Sequence, residues 1–328
     1  MVVPSREIVR RVTIGEDGEG QRLDNYLVKV LKGVPKSHIY RIVRSGEVRV
    51  NRARAGPDAR LAAGDELRIP PIRTSGPAVA DPSAPRRAVP DETLRILFED
   101  EALLALDKPA GIAVHGGSGI SFGVIERLRR ARPESRFLEL VHRLDRETSG
   151  VLLIAKRRAA LTSLHEQLRE GTVDKRYLVL VRGKWRDAKR SVDLPLETRR
   201  IGGEKRVHVG AEGRHALTIF RLERRWSEAE PPMALLEAEL KTGRTHQIRV
   251  HLTHLGFPLA GDDKYGDFAW NRELARQGLK RMFLHAHRID LDHPTTGAPV
   301  RIEAPLAPDL TRFLVRLTEA AAADAHAG

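Results

Sequence analysis

The chain has 328 residues, 41% of them hydrophobic, a formal charge of +13 and a pI near 10.3. That is enough apolar content for more than one buried core, and the basic balance favours a polyanionic partner, either nucleic acid or an acidic membrane surface. The lack of cysteine excludes disulfides, Cys-ligated zinc, iron–sulfur clusters and thiol catalysis, and no apolar run approaches the roughly 18 residues that span a bilayer.

Residues 1–19 contain no apolar stretch ahead of a small-residue cleavage site, so a leader segment of a soluble, cytoplasmic protein is expected there. Residues 20–73 read as a small basic α+β domain. In "RLDNYLVKVLKG", Leu23, Tyr26, Leu27, Val30 and Leu31 recur at helical spacing and Gly33 ends the run. "VPKSHIYRIVRSGEV" predicts a second helix, with Pro35 in its first turn, Ile39, Ile42 and Val43 inward and Gly46 as its stop. "EVRVN" and "DELRI" alternate as short strands. Between residues 22 and 73, twelve Lys/Arg against five Asp/Glu leave +7, so more than half the net charge sits in about a sixth of the chain. Arg22, Lys36, Arg41, Arg44 and Arg49 are the candidate RNA-binding residues of this module. Six prolines between residues 70 and 90 then mark a semi-extended linker, 74–91.

A larger domain is expected over 92–318, followed by a frayed Ala-rich tail, 319–328. "LRILFEDEALLALDKPAGIAVH" reads as strand, turn, strand. "SFGVIERLRRAR" predicts a helix with Ser121 as N-cap and Val124, Ile125 and Leu128 inward. "VLLIAK", "RYLVLVRG", "ALTIFRLERRW", "ALLEAEL" and "MFLHAHRIDL" read as strands. "AALTSLHEQLREG" and "HQIRVHLTHLG" read as helices closed by Gly171 and Gly256. Strands outnumber helices without alternating strictly with them. The fold class is therefore α+β, with a mixed, mostly antiparallel sheet flanked by helices, and not a doubly wound nucleotide fold.

Cofactor signals are weak. "HGGSGISFGVIERL" is glycine-rich before a helix, but the G-x-G-x-x-G spacing fails at Phe122 and no G-K-[ST] follows, so no nucleotide cofactor is expected. His246, His251 and His254 share one predicted helix, and His285 and His287 a later strand. None makes an H-E-x-x-H pattern, and no metal site is expected. The stretch "LVHRLDRETSGVLL" is more pointed. It sets Asp145 among His142, Arg143 and Arg146, and neighbouring cations favour the charged form of a carboxylate. Such an aspartate either braces an ion-paired turn or serves as a nucleophile. Two further segments bear on the choice. Tyr177, Val179 and Val181 share a strand face in "KRYLVLVRG", and in "LKTGRTHQIRVHL" a helix starting near Thr245 carries His246, Arg249 and Thr253 on the side opposite Ile248, Leu252 and Leu255.

In that order and spacing, "HRLDRETSGVLLIAK", "KRYLVLVRG" and "TGRTHQIRVHL" resemble the signature segments of the RluA-type RNA pseudouridine synthases, and "DKPAGIAVHGG" is similar to the strand and turn that precede them. The N-terminal module resembles the small RNA-binding domain first described in a small-subunit ribosomal protein. "LKGVPKSHIYRIVRSGEVRVN" with "GGSGISFGVIERLR" is most similar to the RluC branch, which modifies large-subunit ribosomal RNA. The resemblance covers about residues 20–318, with Glu147 standing where that family usually has Asp. It implies that Asp145 is the catalytic aspartate and that Tyr177 stacks on the flipped uracil and assists proton removal from C5. It further implies that Arg249 pairs with Asp145 and that Arg143 enters the space the uridine leaves. The implied partner is large-subunit ribosomal RNA, with no cofactor, and a monomer is expected. A non-catalytic rRNA-binding or ribosome-assembly protein and a tRNA pseudouridine synthase are the alternatives. A glycosidase-like hydrolase ranks below them, because Glu147 is too near Asp145 to oppose it as a second carboxylate.

Overall fold

The computed structural model describes residues 9–15, 18–31, 33–72, 94–116, 122–202 and 204–327. The Pro-rich linker, the first eight residues, most of the glycine-rich run and Ser121 lie outside them. The chain divides into two units between residues 92 and 93.

In the first unit β1 (Arg10–Thr13) precedes α1 (Leu23–Val30) and α2 (Lys36–Arg44). Then come β2 (Arg49–Val50), β3 (Ala53–Arg54) and β4 (Glu66–Ile69). The strands lie in the order β1-β4-β2-β3, all antiparallel. Leu23, Leu27 and Leu31 meet Ile39, Ile42 and Val43 in a core completed by Val48, Leu61, Leu67 and Ile69. Val30, expected inside, is 36% exposed, because the buried arc of α1 follows the i, i+4, i+8 line from Leu23 and Val30 falls beside it. Gly46, at φ +77°, reverses the chain after α2 in a conformation that a side chain would strain.

The second unit begins with β5 (Arg95–Glu99), β6 (Leu103–Lys108), α3 (Val124–Ala131), β7 (Glu139–Leu140) and β8 (Ser149–Ala155). It continues with α4 (Arg158–Glu170), β9 (Asp174–Arg182), β10 (Lys189–Asp193), β11 (Leu196–Ile201) and β12 (Glu204–Val209). The remainder is β13 (Leu217–Trp226), β14 (Met233–Leu240), α5 (Gln247–His254), α6 (Phe268–Arg276), β15 (Leu284–Asp292), β16 (Pro299–Glu303) and α7 (Pro308–Ala327). The main sheet runs β10-β13-β14-β9-β15-β8-β6-β5, with β16 beside β15 and β7 beside β8. All its pairings are antiparallel except β15 with β8. This is the α+β architecture expected from the sequence. β11 and β12 form a separate hairpin.

All residues of β8 are buried, so both faces of the sheet are covered at its centre. Its side chains alternate between two cores, Leu152 and Ile154 entering one and Val151, Leu153 and Ala155 the other. Tyr177, Val179 and Val181 of β9 enter the first of these, as their spacing requires. Three expectations need correcting. The Ala-rich end is not a separate tail but the end of α7, which continues to Ala327, since alanine favours the helix more than any other residue. The helix after "LKTG" starts at Gln247, because His246 turns left-handed at φ +54°. At the N-terminus of α3, Glu126 accepts the N–H groups of Gly123 and Gly116 at 2.9 and 3.0 Å, so the helix start is held from inside its first turn.

Candidate active site

Asp145 sits in the turn between β7 and β8, where its carbonyl accepts the N–H of Thr148 at 3.1 Å. That turn is anchored from β6. The wholly buried Lys108 Nζ donates to the carbonyls of Pro109, Ile112 and Arg146 at 2.8, 2.9 and 3.1 Å. Burial pulls this ammonium down to about 7, yet three carbonyl acceptors match the three N–H donors of its charged form. Gly111 N–H reaches the same Arg146 carbonyl at 2.9 Å. The residue next to Asp145 is therefore fixed twice by the "DKPAG" turn.

The cations adjacent in sequence do not supply the charge that faces Asp145. His142 Nε2 accepts the Leu153 N–H at 3.2 Å, and burial, reinforced by the charge of Lys175, pulls the ring down to about 4, so it is neutral. Arg146 pairs with Glu147 at 2.8 Å. Arg143 is exposed at the cleft and has no ion partner among the described residues.

The charge comes instead from Arg249 on α5, whose Nη1 donates to Asp145 Oδ2 at 3.2 Å. Arg249 is itself held by Asp262, through Nε and Nη2 at 2.7 Å each, and its guanidinium lies over the Tyr265 ring, 5.1 Å from the centroid. Asp262 is fully buried and also accepts the N–H groups of Lys264 and Tyr265 at 2.9 Å. Burial alone would raise the Asp262 carboxyl, but Arg249 and these backbone donors outweigh it and hold the group below the usual carboxylate range. Burial likewise opposes the Arg249 charge, and Asp262 followed by Asp145 overcomes it, keeping the guanidinium above its ordinary value. Gln247 locks the turn that presents Arg249. It accepts Thr242 Oγ1 at 2.8 Å and Arg244 N–H at 3.0 Å, and donates to Leu217 O at 3.0 Å and Thr218 Oγ1 at 2.9 Å.

A cleft of about 840 Å³ opens over these groups, with Leu240, Ile248 and Leu284 among its apolar walls. Tyr177 lines it, 7% exposed, its hydroxyl without a hydrogen-bond partner among the described residues. Burial first and the Asp145 charge second push that hydroxyl upward, so it is a neutral phenol at neutral pH. Asp145, Tyr177 and Arg249 thus face one space. Three of the histidines weighed as metal ligands hydrogen-bond away from Asp145. His251 meets Thr218 Oγ1 at 3.0 Å, His285 meets Ser149 Oγ at 2.8 Å, and His287 meets Glu237 at 3.2 Å.

In the first unit Lys36, Arg41, Arg44 and Arg49 are exposed. Arg41 Nη2 lies 3.2 Å from His38 Nε2, the Arg44 guanidinium is 5.9 Å from the Tyr40 ring centroid, and Arg49 donates to the Arg52 carbonyl at 3.1 Å. Arg22 is more constrained. It grips Asp24 through two bonds of 3.1 and 2.8 Å, and Asp24 also accepts the Tyr40 hydroxyl at 2.9 Å.

Residues 102–254 match the RNA pseudouridylate synthase family, and residues 21–67 match the S4 domain. The ribosomal large subunit pseudouridine synthase C of Pasteurella multocida is 53% identical over 314 residues, covering 95% of this chain and 95% of that protein. The chain belongs to this pseudouridine synthase family. The protein of the same name from Escherichia coli (strain K12) is 52% identical over 315 residues, 95% of this chain and 98% of the relative. The solved structure of human RNA Pseudouridylate Synthase Domain Containing 4 is similar at a TM-score of 0.55 and 25% identity, over 68% of this chain and 93% of that one. For human RNA Pseudouridylate Synthase Domain Containing 1 the values are 0.55 and 26%, over 71% and 96%. Asp262 lies beyond the matched stretch of the family, and no motif in the sequence points to it, to Lys108 or to His246 as a neighbour of Asp145. A Gly-Asp-Asp run with a tyrosine three residues after its first Asp is the local signal that Asp262 offers.

Proposed function

We propose that the protein isomerises uridine to pseudouridine in large-subunit ribosomal RNA. The observation that supports this best is one partly exposed carboxylate, Asp145, held by a buried arginine in a cleft that Tyr177 lines. In the reaction the N1–C1′ bond of uridine breaks, the base turns, and a C5–C1′ bond forms. C5 loses a proton and N1 gains one, so atoms balance without ATP, redox change or metal. Asp145 is the nucleophile, and Arg249 aims it. Tyr177 stacks on the uracil, which has to leave its helix or loop before a side chain can reach it. Arg143, exposed at the cleft, fills the place the nucleotide vacates. Lys36, Arg41, Arg44 and Arg49 grip phosphates, while Arg22 contributes less because Asp24 already holds it. The reading places the protein in the cytoplasm as a monomer beside its RNA, without a nucleotide cofactor.

Asp145→Asn tests the assignment. It should lower pseudouridine formation in large-subunit rRNA transcripts by at least about a thousandfold and leave RNA affinity within about twofold. Chemical marking of pseudouridine that stalls reverse transcription reads the first, and filter binding the second. Turnover by the variant near the wild-type rate would remove Asp145 from this role.

A further inference from the structure

His246 opens α5 with a left-handed backbone, φ +54° and ψ +22°, a conformation uncommon for a side chain of its size. Its ring is 3.7 Å, at Nε2, from Asp145 Oδ2. The other ring nitrogen, Nδ1, lies 2.8 Å from the Tyr265 hydroxyl. That hydroxyl receives the backbone N–H of Val207 in β12 at 3.0 Å, and a backbone N–H can only donate. Among the described residues His246 Nδ1 is the acceptor within reach of the hydroxyl proton. A neutral imidazole that accepts at Nδ1 carries its hydrogen on Nε2. Burial, resisted by the Asp145 charge, keeps the ring below its ordinary value and so neutral.

We propose that His246 is a positioning residue for the isomerisation: its Nε2–H faces Asp145 as a second donor beside Arg249, and Tyr265, braced by Val207, holds it in that tautomer. The proposal rests on the reading given under Proposed function. Both donors approach the same carboxylate oxygen, Oδ2. Asp145 Oδ1 has no partner among the described residues. The pair therefore orients the carboxylate through one oxygen and leaves the other to meet the substrate. At 3.7 Å the His246 contact is electrostatic in the free protein, and catalytic hydrogen bonds characteristically shorten once substrate is bound.

The test compares single-turnover rates and RNA affinities of His246→Gln, His246→Asn and Tyr265→Phe. Gln reaches far enough to place an N–H near the position of Nε2. Asn reaches only to that of Nδ1, but tolerates the left-handed backbone better. If the Nε2–H matters, Gln outperforms Asn, with Asn slower than wild type by about tenfold or more, as for loss of a hydrogen bond to a charged group. Tyr265→Phe keeps the ring under Arg249 but releases the tautomer, and slows turnover by about tenfold. RNA affinity should stay within about twofold in each, which separates positioning from binding. Asn equal to or faster than Gln would reduce His246 to a backbone role and overturn the proposal, and so would wild-type turnover by Tyr265→Phe. A wild-type protein that forms no pseudouridine in rRNA would instead withdraw the underlying reading, and this inference with it.

Discussion

Arg249 divides its donors unequally between two carboxylates: two bonds of 2.7 Å to buried Asp262 and one of 3.2 Å to Asp145. Asp262 fixes the guanidinium, and Asp145, whose side chain is 30% exposed, meets a cation already in place while staying open to the cleft. An arginine suits this post because its rigid planar fork grips Asp262 with two bonds and still presents a third N–H to Asp145, a bidentate geometry that a lysine lacks. Tyr177 is the other residue whose part the structure sharpens. A base must be deprotonated to accept a proton, and burial with the Asp145 charge holds Tyr177 in its neutral form. Under the proposed function, stacking is therefore its larger contribution. Tyr177→Phe should lose no more than about tenfold in single-turnover rate, whereas Tyr177→Ala, which removes the ring, should lose about a hundredfold or more. Rapid-quench assays on a short rRNA fragment give both numbers, and a Phe variant as slow as Ala would return the hydroxyl to proton transfer. Asp145, Tyr177 and Arg249 could be read from sequence because each lies in a segment of recognisable spacing. Asp262 could not, since Asp262, Asp263 and Asp267 look alike in a line of text and only folding buries the first. His246 was visible, but as one of several histidines weighed for metal, and its meaning depends on a tyrosine nineteen residues later.

The turn carrying Asp145 passes straight into β8, at the one place where the main sheet pairs in parallel. There Ser149 lies opposite His285 and Gly150 opposite Ala286. Gly150 is at φ +108°, and a Cβ added to it would sit 2.2 Å from the Ala286 carbonyl oxygen. No side chain fits between backbones that close, which gives the glycine of "TSG" a physical reason. Gly150→Ala should push β8 and β15 apart and destabilise the protein by about 2 kcal/mol or more, with loss of activity because the Asp145 turn moves with the strand. Urea denaturation measures the first; an unchanged midpoint would mean the strands slide without cost. The elements legible beforehand are those with one dominant period: the alternation of β9, the all-apolar β8, the stripe of α2. β10, β11 and β12 give no strand signal in the sequence, because charged residues such as Lys189, Arg199, Arg200 and Lys205 mask any alternation on exposed strands. Strand order was beyond reach altogether. β9 lies between β14 and β15, far from its neighbours in sequence, and such pairing is set by tertiary packing.

At the scale of the whole molecule, the chemistry lies in one unit and the densest basic segment in the other. The chemical groups, Asp145, Arg249, Tyr177 and Asp262, all belong to the second unit, while +7 of the +13 net charge lies in residues 22–73 of the first. Phosphate contacts position a protein on RNA without acting on a base. The two units should therefore fail in different ways. Deleting residues 22–73 removes the exposed Lys36, Arg41, Arg44 and Arg49 together with the helix and strand that present them. If those four meet phosphates, the slope of log binding constant against log salt should flatten by about 3, at roughly 0.7 per phosphate for single-stranded RNA. Affinity should fall most at low salt, where those contacts count for most. The single-turnover rate at saturating RNA should change little, because Arg249, Asp262 and Lys108 hold Asp145 from within the second unit. Titrations at several salt concentrations with full-length and truncated protein separate the outcomes. A slope that does not move would take RNA binding away from the first unit. A collapsed rate at saturation would mean that the second unit needs the first to hold its catalytic turn.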